Sequence, residues 1–291
     1  MVLLDGKKTA LELREKLKLE VQNRPEGVSA PHLAAILVGN NGASETYVAS
    51  KVKSCEAAGI RSTLIRMDAG VSESDLLQEI DKLNKDADVD GILVQLPLPR
   101  HIDELKVTMA VNPAKDVDGF HPENIGRLTL GMDTFVPATP FGIMLLLEAY
   151  GIKTSGMHAV VVGRSAIVGT PMSLLLSRNS EPGNCTVTIT HSRTKNLMSL
   201  TKQADLIVAA LGKPGFLTAD MVKEGAIVID VGITRVEDNN SEKGYRISGD
   251  VDFKHVAPIC SYITPVPGGV GAMTIAALLT NTVTAWRRRR F

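Results

Sequence analysis

Along the first half of the chain, apolar residues at helical spacing alternate with short runs of strand formers. Helices are predicted over Lys7–Asn23, Ser44–Ala58 and Glu73–Asn84, the last opened by Ser72 or a neighbour as cap. Strands are predicted at Leu33–Val38, Arg61–Met67 and Gly91–Leu96, the third stopped by Pro97 and Pro99. A βα rhythm of this kind builds a parallel sheet. From Asn112 to Pro122 proline, glycine and aspartate replace periodicity. Loops at strand ends in such sheets carry ligands, so this one is a candidate site wall. Pro137-Ala-Thr-Pro140 breaks the pattern again before an apolar helix, Phe141–Tyr150, and the domain boundary is expected there.

The second half opens on His158-Ala-Val-Val-Val-Gly-Arg-Ser-Ala-Ile-Val-Gly-Thr-Pro-Met172. Ala159–Val162 is apolar without alternation, as in a parallel strand covered on both faces, and Gly163 allows a tight turn at its carboxyl end. Gly169 permits close backbone approach. A helix from about Ile167 would aim free N–H groups and its positive dipole end at a phosphate. The glycines do not fit G-x-G-x-x-G, and no Gly-Lys-Ser/Thr makes a P-loop, so an ordinary αβ turn stays open as the alternative. Arg164 favours the nucleotide: a guanidinium just after the turn glycine can pair with a 2′-phosphate, and Ser165 adds a hydroxyl. NADP is therefore expected over NAD.

Further strands are predicted at Thr186–Thr190, Leu206–Ala210 and Ala226–Asp230, which gives this half a Rossmann-like rhythm. After the last of them, Ile233 is a candidate apolar contact for a ring. Arg235–Ser248 reads as a surface hairpin. Ile263-Thr-Pro-Val-Pro-Gly-Gly-Val-Gly271 then feeds a long helix, Ala272–Trp286, whose N-terminus is a second candidate site for a polar ligand.

Composition narrows the class. The 291 residues suit about two domains, and 32 basic residues balance 32 acidic ones, so no global field draws the chain to nucleic acid or a membrane surface. Small-molecule partners fit better. Cys55, Cys185 and Cys260 are far apart and form no C-x-x-C, which argues for a reducing compartment. Met1–Glu20 alternates charges with leucines and lacks the apolar run of a secretory signal, so a soluble cytoplasmic protein is expected. Six scattered histidines make no metal spacing, and no G-x-S-x-G elbow appears, so neither a catalytic metal nor a serine nucleophile is expected. Arg287–Arg290 reads as a solvated helix end that complements the dipole, with a nucleic-acid arm as the alternative.

Five side chains stand out as chemistry. Tyr47 and Lys51, four apart on a predicted helix, share one face. Short-chain dehydrogenases use Tyr-x-x-x-Lys, but their nucleotide loop precedes the pair, whereas Gly163 follows it here by more than a hundred residues. Spacing alone leaves Lys51 either catalytic or a solvated helix residue. Gln95 closes the strand Gly91-Ile-Leu-Val-Gln-Leu-Pro, as a site group or a satisfied core amide. Asp116 and Asp118 in Lys115-Asp-Val-Asp-Gly either bind a ligand or brace a turn.

Taken together and in order, five stretches resemble the bifunctional methylenetetrahydrofolate dehydrogenase/methenyltetrahydrofolate cyclohydrolase family. They are Tyr47–Lys51, Gly91–Pro99, Lys115–Pro122, Gly163–Pro171 and Ile263–Gly271, and the resemblance spans essentially the whole chain. It implies an α/β fold of two domains with a cleft between them. A folate-binding catalytic domain would occupy 1–142, joined by the last helix, 272–291. A Rossmann-like NADP-binding domain would occupy 143–271, and the protein would be a homodimer. The resemblance makes Lys51 the catalytic lysine, with Gln95 orienting it and Tyr47 packing on the aminobenzoate ring. It makes Asp118 the pterin carboxylate, with Pro267, Gly268 and Gly271 near the same folate. Gly163, Arg164, Ser165, Ser192, Ile233 and Thr274 become cofactor contacts, with Arg193 a second phosphate partner. Two departures follow. Pro137-Ala-Thr-Pro140 lacks the cysteine many members carry, and Ser177–Cys185 is longer than the bacterial norm, near the expected adenosine end. The runner-up is a single-activity NADP dehydrogenase with its substrate domain first, of the shikimate type.

Overall fold

The computed structural model describes residues 1–238, 241 and 244–291. By packing, the chain forms two units, residues 11–138 with 275–291 and residues 1–10 with 139–274. Strand β1 (Val2–Leu3) opens the chain, and helix α1 (Gly6–Gln22) carries it from the second unit into the first.

The first unit holds β2 (His32–Val38), α2 (Gly42–Ala57), β3 (Arg61–Met67), α3 (Glu73–Lys85), β4 (Gly91–Val94), α4 (Glu104–Ala110) and α5 (Pro122–Thr129). Its sheet is parallel in the order β3-β2-β4. Central β2 is buried along almost its whole length, while edge strand β3 alternates, as a strand with one wet face must. Ser72 caps α3, its Oγ accepting from Asp75 N at 3.1 Å, and Leu76, Ile80 and Leu83 turn one buried stripe against Ile36, Ile92 and Val107. The chain after β4 is more ordered than its composition implies. Asp103 caps α4, and α5 starts where Pro122 sits at its first turn, a position that wastes no backbone donor.

Helix α6 (Ala138–Ala149) leads into the second unit, beginning three residues before its sequence pattern because Pro140 is tolerated in a first turn. There follow β5 (His158–Val162), α7 (Gly169–Ser177), β6 (Thr186–Thr190), α8 (Leu197–Thr201), β7 (Leu206–Ala209) and β8 (Ile227–Asp230). Next come β9 (Thr234–Glu237), β10 (Tyr245–Ser248), α9 (Phe253–Val256), β11 (Tyr262–Ile263) and α10 (Val270–Arg290). Six parallel strands order as β1-β11-β8-β7-β5-β6, with β7 a buried apolar run throughout and β5 and β8 apolar apart from His158 at the start of one and Asp230 at the end of the other. The hairpin at 235–248 is formed by β9 and β10, with 239, 240, 242 and 243 outside the described residues. The two-residue strands β1 and β11 carry too short a pattern to be read in advance.

The C-terminal arginines are not a solvated tail. Arg287 pairs with Glu20 at 2.7 Å and Arg288 with Asp133 at 2.6 Å, while Arg289 and Arg290 flank Asp90 at 3.5 and 3.3 Å. Asp90 has no exposed surface, so these two guanidiniums compensate a buried carboxylate. One turn earlier Trp286 is buried and donates its indole N–H to Ser29 O at 2.8 Å. This end of α10 is thereby stitched to the first unit. Among the described residues, no helix is long and apolar enough to cross a membrane.

Candidate active site

Tyr47, Lys51 and Cys55 fall four apart on α2, on one stripe of that helix. Lys51 is 4 % exposed, so the solvated reading of this lysine fails. Its Nζ donates to Gln95 Oε1 at 3.1 Å and lies 4.7 Å from the centre of the Tyr47 ring. Gln95 is held in turn. Its N–H donates to Ile36 O at 2.9 Å beside the end of β2, and its Nε2 donates to Leu96 O at 2.6 Å. A bridge between Ile92 and Asp116 runs the following loop alongside β4, which brings Asp118 into the electrostatic reach of Lys51.

The two aspartates have separate jobs. Asp116 braces the turn, accepting from Gly119 N at 3.1 Å, His121 N at 2.8 Å and Asn124 Nδ2 at 2.8 Å. Among the described residues no protein group donates a hydrogen bond to the Asp118 carboxylate, which leaves its acceptors for a ligand. Burial pushes Asp118 up to about 6, opposed by Lys51 and aided by Asp116. Burial also lowers Lys51, with Asp118 and Cys55 acting the other way. A lysine whose ammonium is disfavoured by burial, beside a carboxyl group raised to about 6, makes a proton-handling pair. Cys55 itself is pushed up to about 12 by burial and stays a thiol.

One positioning group carried no motif. Asn281, on α10, donates through Nδ2 to Val117 O at 2.8 Å and Val136 O at 2.9 Å, while Asp118 O accepts from Ala138 N at 3.2 Å. Asp118 is thus gripped on both sides. A buried amide inside the apolar run Ala276–Val283 was the available signal.

In the second unit, Gly163 has φ +135, and a Cβ there would stand 2.3 Å from Ala210 O. A Cβ on Gly169 would stand 2.3 Å from Gly163 O, so the turn admits no side chain at either position. Helix α7 begins at Gly169, two residues later than the pattern indicates, and its first N–H groups are not free. Ser165 Oγ accepts from Val168 N and Gly169 N at 3.2 and 3.3 Å, Ser165 O accepts from Thr170 N at 3.0 Å, and Pro171 has no N–H. The expected phosphate cradle of helix N–H groups is therefore closed by Ser165. What remains for an anion is the side-chain set: Arg164, Ser165, Ser192 and Arg193 are all exposed at the carboxyl ends of β5 and β6.

Ile233 is exposed after β8, its Cδ1 3.1 Å from where a Gly271 Cβ would be, and Thr274 Oγ1 donates to Thr139 Oγ1 at 3.1 Å. Pro267 and Gly268 lie in the loop before α10, where Gly268 O accepts from Lys7 N at 3.0 Å. The long segment Ser177–Cys185 precedes β6 and folds onto Thr154, whose Oγ1 donates to Gly183 O at 2.8 Å. It therefore sits at the opposite end of β6 from Ser192, about 16 Å away along the strand and away from the carboxyl edge of the sheet. A side chain-free turn with exposed cationic and hydroxyl groups at the sheet's carboxyl edge fits a phosphorylated dinucleotide.

Comparisons with known proteins converge on one family. The model of the tetrahydrofolate dehydrogenase/cyclohydrolase catalytic domain matches residues 4–118, and that of its NAD(P)-binding domain matches residues 137–290. The "Bifunctional protein FolD" of Flavobacterium johnsoniae is 60% identical over 290 residues, covering 99% of this chain and 98% of that protein. The crystal structure of the bifunctional methylenetetrahydrofolate dehydrogenase/cyclohydrolase from Campylobacter jejuni has a TM-score of 0.93 at 49% identity, over 99% of both chains. The Trypanosoma brucei enzyme complexed with NADP and an inhibitor has a TM-score of 0.93 at 37% identity, covering 99% of this chain and 98% of that one.

Proposed function

The chain belongs to the tetrahydrofolate dehydrogenase/cyclohydrolase family, and from that premise we propose how its residues divide the work. The enzyme is bifunctional: it oxidises 5,10-methylenetetrahydrofolate with NADP and hydrolyses the resulting 5,10-methenyl compound to 10-formyltetrahydrofolate. A single-activity dehydrogenase is not favoured. Residues 1–142 with the last helix bind folate and carry the catalytic groups, and 143–271 bind NADP; the matches to 4–118 and 137–290 support the order of the two domains, though the second also includes the last helix. The family resemblance also supports a homodimer working in the cytoplasm.

The observation that carries the assignment is the buried Lys51 ammonium on Gln95, with Tyr47 and Asp118 about it. Asp118 accepts the donor edge of the pterin, whose amino and ring N–H groups resemble a guanidinium. Tyr47 lies against the aminobenzoate ring. NADP, when bound, supplies the hydride acceptor for the first reaction. That step asks the protein for orientation more than for proton transfer. Hydrolysis asks for protons. Water attacks the cationic methenyl carbon while Lys51, in its amine form, takes the water's proton. The C–N5 bond then breaks as Lys51 returns that proton to N5, and the remaining hydroxyl proton leaves to solvent as the formyl C=O forms on N10. Gln95 holds the Lys51 amine in place through both transfers. Pro267, Gly268 and Gly271 shape the loop at the folate, and Gly163, Ser165, Ser192, Ile233 and Thr274 line the cofactor with Arg164.

Hydrolysis of methenyltetrahydrofolate, followed as loss of its absorbance without NADP, should run far above the buffer rate; a rate equal to buffer would sink the assignment. On the cofactor side, Arg164→Ala should weaken NADP by about 10- to 100-fold, the worth of a charge-assisted phosphate contact, and NAD much less. A proportional loss for both nucleotides would place Arg164 away from the 2′-phosphate.

A further inference from the structure

Strand order reverses between β5 and β7, with β6 to one side and β7-β8 to the other, so the crevice where open α/β sheets take their ligands lies at the carboxyl ends of those two strands. Ala210 stands at that crevice, its N–H donating to Val162 O at 2.9 Å and its carbonyl against Gly163. The next three N–H groups converge on one carboxylate. Asp250 Oδ2 accepts from Leu211 N at 2.6 Å and Gly212 N at 2.9 Å, and Oδ1 accepts from Lys213 N at 2.7 Å. Asp250 is itself held by Asp230 at the end of β8, whose Oδ1 accepts from Asp250 N at 2.8 Å and Gly232 N at 2.9 Å and whose Oδ2 accepts from Val251 N at 3.0 Å.

Both carboxylates are buried, and neither is in a salt bridge with a cation among the described residues. Two uncompensated acids side by side are a costly way to close a loop, offset here by six hydrogen bonds from main-chain N–H groups. Burial and the neighbouring Asp250 push Asp230 up to about 6 while its three donors act the other way, as such crowding requires. No side chain fits between the strands they join: a Cβ on Gly249 would stand 2.0 Å from Asp230 Oδ2, and one on Gly232 2.4 Å from Asp250 N. The segments so fixed are the loop beside the Gly163 turn and the one leading to Ile233, two walls assigned to the cofactor on separate grounds.

We propose that Asp250, backed by Asp230, is a positioning residue for NADP that sets the Leu211–Lys213 loop as a preformed wall of the cofactor crevice. The inference rests on the assignment of the Gly163 turn to NADP. Preforming a wall removes the entropy of ordering it on binding, so the effect falls on cofactor affinity. Asp250→Asn keeps the size but replaces one acceptor oxygen with a group that cannot accept from an N–H.

By titration calorimetry this variant should bind NADP about tenfold more weakly or worse, while NADP-free hydrolysis of methenyltetrahydrofolate and its KM stay within twofold. NADP affinity within twofold of the parent would overturn the proposal. So would a matching fall in hydrolysis and thermal midpoint, which marks general support and not cofactor positioning. Should the variant fail to fold, hydrogen exchange in the parent decides. The Leu211, Gly212 and Lys213 amides should exchange slowly before NADP is added, and rapid exchange overturns the preformed wall. Arg164→Ala serves as the reference. If it weakens NADP and Asp250→Asn does not, the failure lies with Asp250 alone; if neither does, the Gly163 assignment has failed first.

Discussion

Lys51→Met is expected to slow hydrolysis of methenyltetrahydrofolate by about 10³-fold while a measurable dehydrogenase rate survives, since general acid–base help is worth about 10²- to 10⁴-fold. Methionine fills nearly the volume of the lysine stem and removes a charge whose burial is unfavourable, so the fold has little to lose. Gln95 keeps its bond to Leu96 O and loses only its lysine partner. The pH profiles sharpen the test. In the parent, hydrolysis should climb with pH as Asp118 ionises near 6 and as Lys51, its pKa lowered by burial, surrenders its proton. In the variant only the Asp118 limb should remain. Equal loss of both activities, or an unchanged profile, would remove Lys51 from the proton transfers.

The second large effect is expected at Gly163→Ala. The new methyl would lie 2.3 Å from a backbone oxygen, on a residue with φ +135, so β5 and the chain leaving β7 must part. NADP affinity should fall by at least about 100-fold, roughly 2.7 kcal/mol, whereas hydrolysis without NADP should persist. Gly225→Ala is the matched control, because it too has positive φ, +79, but nothing within 4 Å of its Cβ, and it precedes β8 at the end of the sheet away from the cofactor crevice. Its cost should stay near the ~1–2 kcal/mol of a left-handed residue alone. If the two variants weaken NADP equally, close approach at Gly163 is not what shapes the cofactor turn.

Much of this was legible before any coordinates. Strands β3 and β6 fall on Arg61–Met67 and Thr186–Thr190 as their composition predicts, and Ser72 caps α3. Legibility ended where a residue's role depends on distant partners. Asp116 and Asp118 are alike in sequence, and only the donors Gly119, His121 and Asn124 distinguish the brace from the open carboxylate. Ser165 reads as a phosphate donor in a glycine turn, and nothing local foretells that its oxygen also accepts from the first N–H groups of α7. Arg289 and Arg290 read as a solvated end because Asp90, the acid they cover, lies some 200 positions away and carries no motif. Local pattern encodes elements, whereas polar networks are written across the whole chain.

The stitching of α10 has a consequence for biosynthesis. Asn281 ties down the Asp118 loop, Trp286 reaches Ser29, and Arg289 and Arg290 cover Asp90, so residues 11–138 cannot reach their final packing until α10 has been made. Translation must first produce the whole of 139–274, a delay on the order of ten seconds at ordinary elongation rates. The half that emerges first is completed last. Through that interval it carries a buried acid without its guanidiniums and a folate loop without its amide clamp, and it is then that a chaperone has most to hold.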